Sequence, residues 1–452
     1  MKCIIAFGCL FFASIVCGWG QQYALYNSRT LYDAFENPSQ KAFHADSSFK
    51  YAFTFFFPAF AGNGSVVGPS TDFFRRSIFK KETDVSQLNP NESAPNVVNV
   101  NANIYLLMFR VFTDVQFDQE IGFSWQLRNE SRAELTNGML ILAKNHNLFV
   151  DSANYYDILN GTSYSQSYHQ FSLTYRRNHT YNGRLGWGVK LSYLDGINYD
   201  NLVTQDSYLA RHDPYLHLRV NGLYKTSHPY DNFNVIDNGS TFARPTFKNP
   251  GFSMTWSANL RLRKDWYLMG NLKDIGFITW NNAYEYDLGL FNMTLFPAPP
   301  GTSLESQLSD RLSRRLTRKS FTSFTNGKLE LLAAKDMGVY QPNFIFSKSL
   351  FYPGSDWVFV NNVHVNNMVF SLFADYNQDT ALQLGGQFMI QSPNFEFYMG
   401  SNQLLGTDQW LDGLASKNVG SGPILSSIYM GLGIKFGRVM YHRADSPVIP
   451  GF

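Results

Sequence analysis

The sequence predicts an all-β fold, a transmembrane antiparallel β-barrel, and three observations predict it. Apolar and polar residues alternate with period two in segment after segment. No apolar run long enough for a helical membrane span follows Gln21. The third observation is compositional: of 452 residues, 40 are Phe, 26 Tyr and 8 Trp, while only 16% are charged. An average soluble domain carries about 25% charge, and a disordered chain would be charge-rich and aromatic-poor. With 37 Lys and Arg against 35 Asp and Glu, the formal charge of +2 gives no field for nucleic acid. Mean hydropathy is only -0.23, so neutral polar residues must dilute the apolar ones.

The chain opens on Met1-Lys2 and a nearly unbroken apolar run from Cys3 to Val16, followed by Gly18-Trp19-Gly20. That order reads as an export signal over residues 1–20, cleaved near Gly20. A retained membrane helix fits less well because the run is short and no positive cluster follows it. A lipoprotein site at Cys17 is a further alternative, weakened by Val16 where a small residue is wanted. Cys3, Cys9 and Cys17 all fall inside the signal, so the expected mature chain holds itself together without disulfides.

The clearest strand signals are two hairpins. Phe252, Met254, Trp256, Ala258, Leu260 and Leu262 alternate with Ser253, Thr255, Ser257, Asn259 and Arg261, and a turn at Arg263-Lys264-Asp265 leads into Trp266, Leu268 and Leu272. Phe171, Leu173 and Tyr175 pass through Asn182-Gly183 into Leu185, Trp187, Val189, Leu191 and Tyr193, with Gly186, Gly188, Lys190 and Ser192 opposite. Similar segments run at 49–57, 104–113, 121–128, 214–225, 343–350, 357–365, 368–376, 381–390, 395–400 and 427–438. Connections such as Asn89-Pro90-Asn91 and 296–301 are turn-rich.

Alternation alone does not separate a soluble β-sandwich from a barrel. Strands of ten residues or more, aromatics near strand ends, and a polar face of Gly, Ser and Asn with isolated Lys or Arg tilt the choice to a barrel with a wet lumen. Lys190, His217, Arg219 and Arg261 fall on inferred inward faces and are the candidate lumen-lining charges, although plain solvation of a wet interior explains them equally.

Asn37-Pro38, the stretch Asn249-Pro250-Gly251-Phe252 through Asp265-Trp266-Tyr267, and above all Lys273-Asp274-Ile275-Gly276-Phe277-Ile278-Thr279-Trp280 resemble an uncharacterised family of Bacteroidota outer-membrane β-barrels. That family is a domain of unknown function related in architecture to FadL-like and PorV-like barrels. The resemblance extends from about Tyr23 to Arg438. It implies about 14 strands, within 12 to 16, and location in the cell outer membrane, with about 30 residues per strand and its loop. It hands over no catalytic or ligand-binding residue.

One segment breaks the strand rhythm. Leu304, Leu308, Leu312 and Leu316 stand four apart amid Arg and Lys, which predicts a short amphipathic helix over 303–319, set against lipid headgroups, in the lumen, or on a loop. Chemistry is thin. His44, His146, His169, His179, His212, His217, His228, His364 and His442 are scattered without metal spacing, and no Gly-x-Ser-x-Gly elbow occurs. Gly186-x-Gly188 and Gly431-x-Gly433 lie in strands and read as small inward residues rather than phosphate cradles. Asn129-Glu130-Ser131 and Asn178-His179-Thr180 are chance sequons in a bacterial host. No enzymatic activity and no cofactor are expected.

The expected organisation is therefore a signal (1–20), a barrel (21–438) and a tail (439–452) in which prolines keep Phe452 out of a strand. The expected function is a channel or transporter-like barrel for small or apolar solutes. The alternative, implied by the PorV-like resemblance, is a non-transporting scaffold of an envelope or type IX secretion assembly; a barrel enzyme is a remote third. Outer-membrane lipid is the expected partner, with other envelope or secretion proteins besides. An open lumen with a lateral opening would favour transport, whereas a lumen packed by the 303–319 helix or by residues 21–48 would favour the scaffold.

Overall fold

The computed structural model describes residues 25–43, 49–54, 57–113, 118–180, 184–228, 244–289, 291–295, 314–377, 381–417 and 420–439. The expected signal, His44, residues 303–313 of the expected helix, and Phe452 lie outside them.

The wall starts with β1 (Phe49–Phe53) and β2 (Ala59–Val67), which lie end to end as one stave. The sequence predicts a single strand over 49–57, but Pro58 has no N–H to donate and Phe57 N–H donates instead to the Thr54 carbonyl at 3.0 Å, so the stave is broken at a turn. There follow β3 (Asn96–Phe112), β4 (Gln119–Leu135), β5 (Asn154–Tyr156), β6 (Gly161–His179), β7 (Leu185–His212) and β8 (Tyr215–Thr226). The middle of the chain gives β9 (Pro250–Arg261), β10 (Trp266–Trp280), β11 (Tyr284–Asp287), β12 (Phe291–Leu295), β13 (Leu316–Arg318), β14 (Phe321–Phe324) and β15 (Lys328–Lys335). The last third is a plain meander of β16 (Tyr340–Ser349), β17 (Ser355–Val365), β18 (Met368–Asn377), β19 (Ala381–Gln391), β20 (Phe395–Ser401) and β21 (Ile424–Val439).

Pairing closes these strands into one antiparallel barrel of fourteen staves. Around the ring run β1 with β2, then β3, β4, β6, β7, β9, β10, β14 with β15, β16, β17, β18, β19, β20 and β21. β21 pairs back to β1 and β2, which removes the free sheet edge. The turns at the two ends of the ring differ. At one end they are short, as at Asn366–Asn367, where Asn366 takes the left-handed conformation the two-residue turn requires. At the other end most are long and carry most of the remaining structure: α2 (Thr71–Arg75, running on into a wider turn over Arg76–Lys80), α3 (Asn137–Lys144), α4 (Leu404–Ser416) and the β8 layer, while β16–β17 and β18–β19 are joined there by short turns. α1 (Leu31–Glu36) stands apart from both ends, inside the ring.

The burial pattern inverts that of a soluble sheet. On β9, Trp256 is 53% exposed on the outer face while Thr255 and Ser257 on the inner face are fully buried. Leu173, Leu372 and Leu382 are more than 60% exposed on the same outer face. A sandwich would bury the apolar face. This molecule presents it outward, as a barrel in an apolar solvent does.

Three expectations change. First, the helix expected over 303–319 is not formed in its described part: Leu316–Arg318 is a strand paired with β11, since the edge of β11 away from β8 offers it a ladder at Tyr284, Glu285 and Tyr286. The helices of the described residues lie elsewhere. α3 begins where the Thr136 hydroxyl accepts the Met139 N–H, a side-chain cap on an apolar octapeptide. Second, His217 and Arg219 do not line the lumen. β8 pairs with the distal half of β7 and with β11 and β12, beyond the wall, and its buried face is Leu216, Leu218 and Val220. Third, the wall begins at Phe49, and the preceding residues 25–43 fill the barrel rather than build it.

Candidate functional site

The lumen holds a plug made from the chain's own start. Thr30 caps α1 by accepting the Asp33 N–H at 3.0 Å, and Asn37-Pro38 ends the helix because the residue before a proline is pushed out of the helical region. All six residues of α1 are buried. Phe35 and Leu31 pack with Tyr105, Phe112, Tyr398 and Tyr429 of the wall. The approach is close enough that a Cβ on Gly188 of β7 would sit 2.1 Å from the Pro38 carbonyl oxygen. Gly188 is thus the small inward residue that the strand pattern predicts, and its smallness admits the plug.

Polar bonds tie the plug to the wall all round. Leu31 N–H donates to Glu396 Oε1 of β20 at 2.7 Å, Gln391 of β19 donates to the Ser28 carbonyl, and Ser39 N–H donates to Ser257 Oγ of β9. Arg176 of β6 and Asn259 of β9 both donate to the Ser39 carbonyl. On the other flank Arg110 of β3 donates to the Ala34 carbonyl, while Glu120 of β4 bridges Arg110 and Arg176 at 2.8 and 2.7 Å.

Glu36, the last residue of α1, is the centre of this network. Its carboxylate pairs with Lys273 of β10 and with Arg128 of β4, and accepts from Tyr105 OH at 2.6 Å and Asn103 Nδ2 at 2.9 Å. Burial alone would raise its pKa, but Lys273, Arg128 and Lys190 hold the carboxyl well below the usual range. Arg128 also pairs with Asp274, which holds Lys190 at 2.9 Å, and Glu330 of β15 lies by Lys273 and accepts from Asn271 and Tyr26. Three cations, Arg128, Lys190 and Lys273, thus face three carboxylates, Glu36, Asp274 and Glu330, and their charges balance within the buried interior.

A bulge makes the cluster possible. β10 pairs with β9 in register except between Leu272 and Ile275, where Asp274 takes φ 48°. Neighbouring strand residues point to opposite faces, yet here Lys273 and Asp274 both reach the lumen. The stretch from Lys273 to Trp280 that carries the family resemblance is thus the segment that turns two adjacent charges inward. Trp280 at its end is fully buried, with its indole N–H donating to Ser323 Oγ at 2.8 Å.

The predicted lumen charges separate. Lys190 is fully buried in the cluster, and Arg261 lies on the inward row of β9 at the short-turn rim. His217 and Arg219 sit on β8, where His217 Nδ1 meets Thr294 Oγ1 at 3.2 Å and the Arg219 guanidinium lies over Tyr208. Sequence reasoning missed Glu36, Arg128, Asp274, Lys273 and Glu330. The signal available was an ionisable residue on an otherwise neutral polar face, as alternation gives for Lys273 beside Asn271, and for Asp274 it was hidden by the bulge.

Above the plug, on the long-loop side, a cavity of about 340 Å³ is lined by polar residues, among them Asn99, Asn101, Glu130, Tyr164, Tyr352 and Asp375. A smaller space of about 70 Å³ beside Tyr32, Asp33 and Glu36 shares Asn101, Glu130 and Asn326 with it. Among the described residues no group of three or more His, Cys, Asp or Glu side chains is placed to hold a metal ion.

The chain belongs to the Family of unknown function (DUF5723), whose profile matches residues 42–402. No curated protein matches its sequence. Among solved structures it is similar to the toluene transporter TodX of P. putida, with 8% identity, a TM-score of 0.40, and 90% of this chain and 94% of that one covered. The toluene transporter TbuX of Ralstonia pickettii gives the same four figures. A mutant porin of Rh. blastica shares 9% identity at a TM-score of 0.24, with 86% of this chain and 99% of that one covered. The barrel itself rests on the strand pairing.

Proposed function

We propose that this protein is an integral outer-membrane β-barrel, closed at rest by its own N-terminal segment, that acts as a gated channel or transporter for a small solute. The carrying observation is the inverted wall with a tethered plug inside it. An outward face of Trp, Leu, Phe and Met needs an apolar solvent, and a bilayer supplies one. Short turns at one end and long, structured loops at the other match periplasmic and outer sides, with the polar cavity opening outward. The plug is held by hydrogen bonds and ion pairs as well as by apolar packing, and water can replace the polar contacts as the segment shifts. The polar lining of the cavity supports the small-solute part of the sequence expectation.

A second reading is favoured by the same plug. A lumen packed by residues 25–43 is the feature that points to a non-transporting scaffold of an envelope or secretion assembly. Planar-bilayer conductance separates the two. The refolded mature chain should be nearly silent, and deletion of residues 21–43 should open a stable conductance. A deleted barrel that folds and stays silent would end the transport reading and leave the scaffold. The membrane premise has its own check: expression as a soluble monomer without detergent contradicts it.

A further inference from the structure

α4 has three sides with different surroundings. At about 100° per residue, Gly406, Trp410 and Gly413 fall on one side, and that side is packed. A Cβ on Gly413 would sit 2.8 Å from the Phe79 ring, one on Gly406 would sit 2.5 Å from the Leu425 carbonyl oxygen, and Trp410 lies against the cluster that contains Phe73 and Phe74. Thr407 fixes the helix to β21, accepting the Ser427 N–H at 2.9 Å and donating to the Ser427 carbonyl at 3.0 Å. Of the two remaining flanks, one carries Asp408, Gln409, Asp412 and Ser416, with Leu405 in the first turn. The other carries Leu404, Leu411 and Leu414, which are 43%, 55% and 53% exposed. A helix normally buries its leucine stripe, so this flank calls for an apolar neighbour.

The wall shows what that neighbour is. A Cβ on Gly386 of β19 would meet Leu404 Cδ1 at 3.0 Å and Leu372 Cδ2 at 3.6 Å. Gly386 and Leu372 are paired across β18 and β19, and both belong to the outward row, so the leucine flank continues the outer apolar face of the barrel. The outward row does not stop at this level. Leu384 and Leu382 continue it toward the long-loop end at 50% and 63% exposed, and Leu382 pairs with Tyr376, which pairs with Trp357. Exposed Tyr and Trp at strand ends mark the edge of an apolar belt. Leu404 touches the wall four residues below that rung, about 13 Å along the strand and about 10 Å in depth at the usual barrel tilt. A helix lying in a bilayer interface sinks its apolar face to about 5–10 Å.

We propose that α4 is an interfacial helix whose Leu404, Leu411 and Leu414 flank sits among lipid acyl chains beside β19 and β21, with Asp408, Gln409 and Asp412 turned to the water. The inference rests on the membrane reading given above and names a lipid contact beyond the wall itself. The contact is apolar in origin, because no Lys or Arg stands among residues 404–416 to seek an anionic headgroup. It seats the long loop between β20 and β21 on the membrane, and through Trp410 and Gly413 it seats α2 as well.

Spin labels provide the test. Residues 21–452 contain no cysteine, so the refolded mature chain can be labelled at one introduced site at a time. Leu411→Cys, Leu414→Cys, Gln409→Cys and Leu372→Cys all place the label at exposed positions, where packing is undisturbed. In phosphatidylcholine vesicles, labels at Leu411 and Leu414 should collide more with oxygen, which dissolves in the acyl region, than with a water-soluble nickel chelate. The ratio should reverse at Gln409. Leu372, on the wall, reports the membrane reading independently: a label there that meets nickel rather than oxygen would refute the bilayer around the barrel. If Leu372 meets oxygen while Leu411 and Leu414 meet nickel, the helix inference alone falls. Labels at Leu411 and Leu414 shielded from both reagents would overturn it too, in favour of a protein partner or a second copy of the chain.

Discussion

The two halves of β7 obey opposite rules. From Leu185 to Gly196 the strand pairs with β9 as part of the wall, and there Leu191 is 46% exposed while Lys190 is fully buried. From Asp200 to His212 it pairs with β8, and there Leu209 is fully buried against Leu218 while Arg219 faces out. One continuous strand therefore passes from a region where apolar side chains face outward to one where they face inward. On the membrane reading proposed above, what changes along it is the solvent, and the reversal around Gly196 is where the bilayer gives way to water.

The largest effect should come from the buried cluster of the near half. Asp274→Ala leaves the buried Arg128 and Lys190 without that partner, and urea titration of the refolded barrel should show a loss of about 3–5 kcal/mol. Next, Leu191→Arg on the outer face of the near half should cost about 2–4 kcal/mol in folding into bilayers, as for a cation near mid-membrane. The matched change in the distal half, Val203→Arg, should stay within about 0.5 kcal/mol, since Val203 is 37% exposed and borders the polar cavity. Equal costs at the two sites would erase the boundary.

Acid tests the plug more gently. Because Glu36 is held below its unfolded pKa, its contribution is present above the ordinary carboxylate range and is lost only as pH falls through the depressed folded value. The protection factors of residues 31–36, exchange rates divided into the intrinsic rate at each pH, should therefore stay flat from pH 8 to 5 and fall only well below pH 4. Release of the plug between pH 7 and 5 would show that the Glu36 pairs do not pin it. Smallest of all, Arg219→Ala should change stability by no more than about 0.5 kcal/mol and leave conductance untouched, because that side chain lies outside the wall.

Much of the wall was legible. The hairpins at 252–273 and 171–193 were readable because each has one apolar and one polar face, and both faces survive in the structure as outer and inner rows. The β8 segment shows the limit of the same signal. Its alternation is as clean as any, but His217 and Arg219 face solvent because β8 is covered on its apolar side by the loop layer that includes α3. The helical pattern at 303–319 failed in its described part because pairing with β11 outweighs a weak local preference. Lys273 and Asp274 were invisible as a pair, since strict alternation assigns them to opposite faces.

The sequence by itself determined that the strands have two chemically different faces, that no apolar run after Gln21 is long enough for a helical membrane span, and that charge is sparse. Only the tertiary structure decided which face lies inside, that residues 25–43 fill the ring, and that Glu36, Arg128, Asp274, Lys190, Lys273 and Glu330 meet in one neutral cluster. The reason is physical. Period two records a difference in polarity along a short segment, and nothing in it says what lies against either face. That answer comes from closure between β1 and β21, from a bulge that re-aims one residue, and from contacts spanning hundreds of positions, such as Leu31 with Glu396.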